Sequence, residues 1–160
     1  MRKRNSGETL YWLMKSEPSV YGIHHLERDK KNHWEGVRNY QARNFIKEMT
    51  IGDRMLFYHS NANPSGVAGV GKICKDPYPD FFSWDPKSRY FDPSSSPQCP
   101  RWFMVDVEYV ETFPHFISLA EIRSLPELND LSILKRGDRL SIHPLSKTQF
   151  DFLQTLGNST

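Results

Sequence analysis

The spacing of hydrophobic and polar residues divides the chain into short strands and helices. Residues 11–15 alternate as a strand, and residues 54–60 and 67–75 are typical of a hairpin across a turn-rich connector. A longer strand is predicted over residues 101–112, and a Gly-Asp turn leads into another over residues 136–145. Several strands separated by short helical segments indicate a mixed α and β domain rather than a helical bundle.

Helix ends are marked by residues that satisfy free backbone groups. Asn39 is a typical N-cap for a helix over residues 40–49. Ser146 and Gln149 form a capping-box pattern at the start of the last helix, which Gly157 is expected to end.

The segment over residues 76–100 is unusual because it holds six of the chain's eleven prolines together with six aromatic residues. Irregular segments of this length in compact domains are commonly functional or disordered. Disordered segments are poor in aromatic residues, so an ordered flap over a cleft is the better interpretation.

Length and charge limit the classes of function. A chain of 160 residues is long enough for one domain with a buried core. Residues 1–9 are polar and basic and are predicted to be a flexible leader, followed by a single domain over residues 10–157. The net charge of +2 does not fit a protein that follows long stretches of phosphate. A contact with nucleic acid would therefore be local.

Apolar runs and cysteines indicate where in the cell the protein is expected. No apolar run approaches the ~18 residues that a membrane span needs, so no membrane contact is expected. Cys74 and Cys99 fit reduced thiols in a cytosolic or nuclear protein, although two cysteines also suffice for one disulfide. We expect a monomer without a cofactor. The expected location is the cytoplasm, with association with the nucleoid in a bacterium or a nuclear location in a eukaryote.

Common site chemistries lack their sequence patterns. Adjacent His24 and His25 are expected to point apart, and no His-x3-His or Cys-x2-Cys spacing indicates a metal site. His59 with Ser60 or Asp80 has the residue types of nucleophilic catalysis, but no Gly-x-Ser-x-Gly elbow is present. No Walker pattern or Gly-x-Gly-x-x-Gly precedes a helix.

The stretch over residues 34–45 combines a tryptophan, a glycine, amides and two arginines. A site for a flat polar ring needs this mixture, an aromatic face for stacking and polar groups for the ring edge. A loop with Trp34 in the core and Asn39 as an N-cap explains it equally well. Polar residues also end the predicted strands at 15–17 and 59–61, so strand ends and flap are expected to converge on one cleft.

Several motifs follow one another in a fixed order along the chain. They are Tyr11–Pro18, Trp34–Phe45, Tyr58–Asn61, Tyr78–Asp80, Tyr90–Pro93, Pro100–Trp102 and Arg139–Ser141. In this order they resemble the EVE domain family over nearly all of residues 10–156, with Ala62 standing where many members carry a cysteine. The resemblance implies an α+β fold, a PUA-like curved, mixed or antiparallel β-barrel surrounded by short helices, and kinship with YTH domains.

The resemblance also implies a function. YTH domains read a methylated adenine in RNA through an aromatic cage, and EVE relatives are associated with modified cytosines in DNA. We therefore expect a non-catalytic reader whose partner is nucleic acid containing a modified base, a modified cytosine in DNA or else a modified base in RNA. The alternative is a base- or RNA-modifying enzyme, or a small-molecule hydrolase, that uses His59 with Ser60 or Asp80.

The predicted base-binding residues come from the strand ends, the central loop and the flap. They are Lys15, Ser16, Glu17, Trp34, Val37, Asn39, His59, Ser60, Asn61, Tyr78, Asp80 and Trp84. By resemblance, Trp34 matches a cage tryptophan, and Tyr78 or Trp84 is expected to form the second wall. Phosphates are expected to contact three basic residues near the cleft, Arg38, Arg43 and Lys47.

Overall fold

Six strands form one mixed sheet in the computed structural model, which describes residues 4–159. In chain order they are β1 (Tyr11–Ser16), β2 (Lys31–His33), β3 (Arg54–His59), β4 (Gly66–Pro79), β5 (Phe103–Ser118) and β6 (Ile142–Leu145). Their order across the sheet is β2-β5-β4-β3-β1-β6. The α+β fold class is confirmed. Because β2 and β6 are opposite edges of the sheet, the expected barrel is open rather than closed.

Short helices surround this sheet. They are α1 (Pro18–Tyr21), α2 (Ile23–Asp29), α3 (Tyr40–Glu48), α4 (Leu119–Arg123) and α5 (Lys147–Gly157), with 3₁₀ turns at Phe81–Trp84, Pro126–Leu128 and Ser132–Leu134. As predicted, Asn39 caps α3, its Oδ1 accepting from the Ala42 N–H at 3.0 Å. Ser146 and Gln149 form the predicted capping box of α5. Among residues 4–159, no helix combines the length and the apolar character that crossing a membrane requires.

The prediction that Gly157 ends α5 is confirmed, because Gly157 is the last residue of the helix. The helix includes Gly157, and Asn158 is its C-cap. A Cβ atom at Gly157 would lie 2.3 Å from the Phe113 ring. Glycine is therefore present because Phe113 of β5 packs directly on the helix backbone, and the sequence alone does not distinguish this use of glycine from a helix stop.

β1 and β3 run parallel, with Ser16 opposite His59. β6 pairs antiparallel with the other side of β1, and the Lys15 N–H donates to the Ser141 carbonyl at 2.8 Å just before β6 begins. The carboxyl ends of β1 and β3 and the start of β6 therefore share one edge of the sheet. This edge positions the candidate site.

The sheet has a hydrophobic core on each face. Trp12 and Met14 of β1 belong to one cluster, together with Ile46 of α3. Leu13 points to the other face and packs in a second cluster with Phe150 of α5. Burial on both faces is expected for β1, which lies between two neighbouring strands and under helices on either side.

Asp53 is a buried carboxylate, 1% exposed, in the turn before β3. It accepts from the N–H groups of Leu10 and Thr50 and from the Trp12 indole, each at 3.1 Å. Arg4 binds both of its oxygens at 2.7 Å. Burial alone would raise the pKa of Asp53, but these bonds, led by the one from Arg4, hold it below its ordinary value.

Part of the predicted leader therefore contacts the domain. The Arg4 guanidinium also donates to the carbonyl oxygens of Glu8 and Glu48, at 2.8 and 3.0 Å. Residues 1–3 lie outside the described residues. The flexibility of residues 1–9 stays a prediction.

Asp53→Asn should lower the free energy of unfolding by about 3 kcal/mol, because the buried site loses its charge-assisted bonds to Arg4. Urea-induced unfolding monitored by tryptophan fluorescence measures this loss. The pKa of Asp53 is lowered in the fold, so its stabilisation is present above the ordinary value of 3.8 and is lost as the pH falls through the folded value. The difference between variant and wild type should therefore shrink below pH 3.8.

Asp151→Asn is the matched control, since it removes an exposed ion pair with Lys147 and should leave stability nearly unchanged. Equal losses in the two variants would contradict the role given to Asp53.

Candidate functional site

A cavity of about 550 Å³ opens at the edge where β1 and β3 end. Its lining comes from six short segments, residues 15–17, 20–21, 32–37, 60–61, 89–90 and 138–141. The predicted convergence of two polar strand ends, the central loop and the flap is therefore found in one place. The segment before β6 is an additional contributor.

Trp34 is both a core residue and a wall of this cavity. Its side chain is only 9% exposed and meets the Phe57 ring edge-on, with 5.3 Å between centroids. The backbone N–H of Trp34 donates to the Val105 carbonyl at 2.8 Å. The two interpretations of this tryptophan are thus compatible, since the residue packs in the core and also lines the cavity.

Tyr90 of the flap lines the same cavity and packs directly against Gly36. Gly36 has φ +88°, and a Cβ atom there would lie 2.5 Å from the Tyr90 ring. The Tyr90 carbonyl accepts two bonds from the Arg38 guanidinium, at 3.0 and 2.8 Å. Tyr90 is therefore fixed relative to the loop that carries Trp34.

Asp80 joins the flap to this loop. It is fully buried and accepts from the Gly36 N–H at 2.9 Å, from Arg38 Nη1 at 2.9 Å and from the Phe82 N–H at 3.0 Å. The buried ion pair with Arg38 satisfies the carboxylate and positions Tyr90 at the same time. Asp80 thus holds together the segments that form the cavity but does not itself line it.

A chain of polar side chains runs from the cavity into the protein. Lys15 Nζ donates to Asp138 Oδ2 at 2.7 Å, and the same oxygen lies 3.0 Å from His143 Nε2. His143 Nε2 is also 3.1 Å from the Leu140 carbonyl, so this nitrogen is assigned the proton. His143 Nδ1 then accepts from the Ser132 hydroxyl at 2.6 Å.

The pKa values of this chain follow from its burial and bonds. Burial lowers the pKa of His143, so the ring is neutral at pH 7. Burial opposes ionisation of Asp138, but the bond from Lys15 and the Leu140 N–H hold its pKa below the ordinary value. Asp138 is therefore an anion that keeps the Lys15 ammonium at the cavity.

The mouth of the cavity is held by bonds between the two strand ends. Asn61 Nδ2 donates to Glu17 Oε1 at 2.8 Å, and the Ser60 N–H donates to the Ser16 carbonyl at 3.0 Å. The Ser16 hydroxyl donates to the Tyr21 carbonyl at 2.7 Å and fixes α1 beside the opening. These short-range contacts explain why four polar residues remain together at an exposed edge.

Seven predicted base-binding residues line the cavity and five do not. Those that line it are Lys15, Ser16, Glu17, Trp34, Val37, Ser60 and Asn61. Asn39 is used as the cap of α3, and Asp80 holds the flap. His59 Nε2 accepts from the Ile23 N–H at 3.1 Å. Burial lowers the pKa of His59, which favours the neutral ring that this bond requires.

Tyr78 and Trp84, one of which was predicted to form the second wall, do not line the cavity. The Tyr78 hydroxyl is 2.5 Å from Asp106 on the neighbouring strand, and Trp84 ends the 3₁₀ turn Phe81–Trp84. Neither side chain lines the cavity, whereas Tyr90 does. Tyr90 belongs to one of the family-like motifs, and this was the available signal for it.

The three predicted phosphate contacts are also used by the fold. Arg38 is bound to Asp80 and to the Tyr90 carbonyl. Arg43 donates to the Arg101 carbonyl at 3.1 Å, and Lys47 lies over the Phe103 ring, 5.0 Å from its centroid. The cationic residues that do line the cavity are Lys15, Arg89 and Arg139. Arg139 lies in a family-like motif, and Arg89 directly precedes another.

The side chains proposed for an enzyme, His59, Ser60 and Asp80, are not hydrogen-bonded to one another. His59 is bound to the Ile23 backbone, and the oxygens of Asp80 are bound by groups of the 36–38 loop and the flap. The expectation that His24 and His25 point apart is wrong, because their ring centroids are 3.9 Å apart.

A family model for the EVE domain matches residues 10–156. Human thymocyte nuclear protein 1 is 40% identical over 164 residues, which covers 91% of this chain and 73% of that protein. A crystal structure of human THYN1 in complex with DNA containing 5-methylcytosine matches with a TM-score of 0.88 at 38% identity, over 95% of this chain and 99% of that chain.

Two further structures extend the comparison. A hypothetical protein from Leishmania major has a TM-score of 0.91 at 37% identity, over 96% of this chain and 97% of that one. A YTH domain of Zygosaccharomyces rouxii MRB1, solved with N6-methyladenosine RNA, has a TM-score of 0.56 at 12% identity, over 96% and 90%, and shares the fold alone. The family model and the identity to the human protein agree: the chain belongs to the EVE domain family.

Proposed function

We propose that this protein is a non-enzymatic reader that holds a modified base of DNA in its 550 Å³ cavity. The observation that carries the proposal is the placement of Trp34 and Tyr90 on one cavity, from two loops that Asp80 and Arg38 tie together. The complex of human THYN1 with DNA containing 5-methylcytosine supports a modified cytosine as the target.

Stacking on these rings offsets much of the cost of extracting a base. Taking a base out of a duplex costs a few kcal/mol, and stacking on an aromatic side chain returns ~1–3 kcal/mol. The Trp34 ring packs on Phe57 and the Tyr90 ring packs on Gly36, so little side-chain entropy is lost when a base binds. A rigid site of this kind suits a flat ligand.

Lys15 and Glu17 provide opposite hydrogen-bonding character for the edge of the base. The Lys15 ammonium has three donors, of which Asp138 takes one. The Glu17 carboxylate accepts from Asn61 through Oε1 and retains further acceptor positions. Cytosine and adenine carry an exocyclic amine beside a ring acceptor, so this pair favours them over thymine.

Recognition of the added methyl group is expected to be modest. One buried carbon is worth about 0.8 kcal/mol, or roughly fourfold in affinity. Val20, Val37 and Leu140 are the aliphatic residues that line the cavity, and they are available to contact a methyl group. Larger discrimination requires that the unmodified base leave a void or an unpaired polar group.

We also propose that the protein acts as a monomer, in the nucleus if its organism is a eukaryote and with the nucleoid if it is a bacterium. The name of thymocyte nuclear protein 1 supports the nuclear assignment. The cytoplasmic location expected from sequence has no support in the comparisons.

Tyr90→Leu should weaken binding to an oligonucleotide containing 5-methylcytosine by about tenfold, because one stacking wall is worth ~1–3 kcal/mol. Fluorescence anisotropy with a labelled oligonucleotide measures the affinity. Trp84→Leu is the control, since it alters a flap aromatic residue that does not line the cavity, and it should leave the affinity unchanged. A loss in Trp84→Leu without one in Tyr90→Leu would place the second wall at Trp84.

Trp34→Ala should abolish this binding and also lower the free energy of unfolding by about 3 kcal/mol, because Trp34 packs on Phe57. Circular dichroism at the temperature of the binding assay establishes that the variant is folded. Trp34→Phe keeps an aromatic ring and should retain part of the affinity. Full binding by folded Trp34→Ala would contradict the proposal.

Incubation of the protein with modified and unmodified oligonucleotides should leave every base chemically unchanged by mass spectrometry. This tests the alternative in which His59 acts with Ser60 or Asp80 in an enzyme. Product formation that disappears in His59→Ala would establish an enzyme and overturn the reader proposal. RNA oligonucleotides in the same assays show whether the target is restricted to DNA.

A further inference from the structure

Arg89 and Arg139 are cationic residues of the cavity rim that the fold itself does not use. Both line the cavity and both are exposed. Within residues 4–159 neither makes a hydrogen bond or an ion pair, and the guanidinium carbon of Arg89 lies 5.3 Å from the centroid of the Tyr90 ring. Arg38, by contrast, is bound to a buried carboxylate.

None of the acidic side chains that line the cavity is bonded to either arginine. Each of the three is bound by another lining side chain: Glu17 by Asn61, Glu35 by His33 and Asp138 by Lys15. The guanidinium N–H groups of Arg89 and Arg139 are therefore free to donate to a ligand at the opening.

We propose that Arg89 and Arg139 bind the phosphates on the two sides of the bound nucleotide. This inference rests on the proposed function and deepens it, because it specifies an internal nucleotide of a strand as the ligand. Arg89 comes from the flap beside Tyr90, and Arg139 comes from the loop beside Asp138, so the two approach the opening from separate segments. A guanidinium group binds a phosphate through two parallel hydrogen bonds.

These contacts would provide the electrostatic part of the affinity. The net charge of the chain is only +2, so no broad basic surface is expected to hold the strand. Each phosphate that the protein neutralises contributes about −0.9 for a duplex, or about −0.7 for a single strand, to the slope of log K against log salt concentration. A free nucleoside has no phosphate and gains nothing from either arginine.

The test compares Arg89→Gln, Arg139→Gln and the double variant with wild type. The probes are an oligonucleotide with one internal 5-methylcytosine, the same oligonucleotide with cytosine, and the nucleoside 5-methyl-2′-deoxycytidine. Each single variant should reduce the salt slope for both oligonucleotides by about one, and the double variant by about two. The preference for the modified oligonucleotide and the affinity for the nucleoside should not change.

Arg136→Gln is the matched control, because Arg136 is exposed in the segment before Arg139 but does not line the cavity. Thermal melting verifies that all variants are folded. Salt slopes in Arg89→Gln and Arg139→Gln equal to that of Arg136→Gln would overturn the phosphate assignment. The base-reading proposal fails separately, if wild type does not prefer the modified oligonucleotide and Tyr90→Leu binds as wild type does.

Discussion

The parallel pairing of β1 with β3 is the constraint on which the site depends. Since both strands end at the same edge, residues 15–17 and 60–61 meet there, and the Glu17–Asn61 contact becomes possible. Antiparallel pairing would place these ends at opposite edges. A shift of one residue in the pairing register would turn each side chain of the strand to the other face of the sheet and disrupt both hydrophobic clusters. The same interactions that bury the interior of the sheet therefore assemble the polar edge.

The flap is positioned by a buried ion pair rather than by hydrophobic contact alone. Removing Asp80 and Arg38 from water costs free energy, so the pair is weak support for stability by itself. Its two partners instead hold the Gly36 backbone and the Tyr90 carbonyl in fixed positions. These directional bonds hold the backbone that carries the Tyr90 ring, and a stacking site requires that its supporting groups be fixed in this way.

Local signals in the sequence were sufficient for β1, β3, α3 and α5 and for the strand-end half of the cavity, but not for β2 or for the full length of β4 and β5. The cap at Asn39 depends on neighbouring residues, and the polar ends of β1 and β3 depend on where apolar alternation stops. The Tyr90 wall depends on packing against Gly36, far away in the chain. Both residues lie in family-like motifs, but a motif does not show which residues contact each other. The use of Arg38 by Asp80 was hidden for the same reason, because a sequence shows a cation but not its partner.

The charges of the cavity also separate two tasks. Lys15 is balanced by Asp138, whose other neighbour, His143, is neutral at pH 7 because burial lowers its pKa. An ammonium balanced in this way directs hydrogen bonds to a neutral base without making the interior a general site for anions. The guanidinium groups of Arg89 and Arg139, which are bonded to no carboxylate in the described part of the chain, are exposed at the rim, where a phosphate would remain solvated. In the proposed complex, base and backbone contact different groups, so substitutions at the rim should change overall affinity without changing the choice of base.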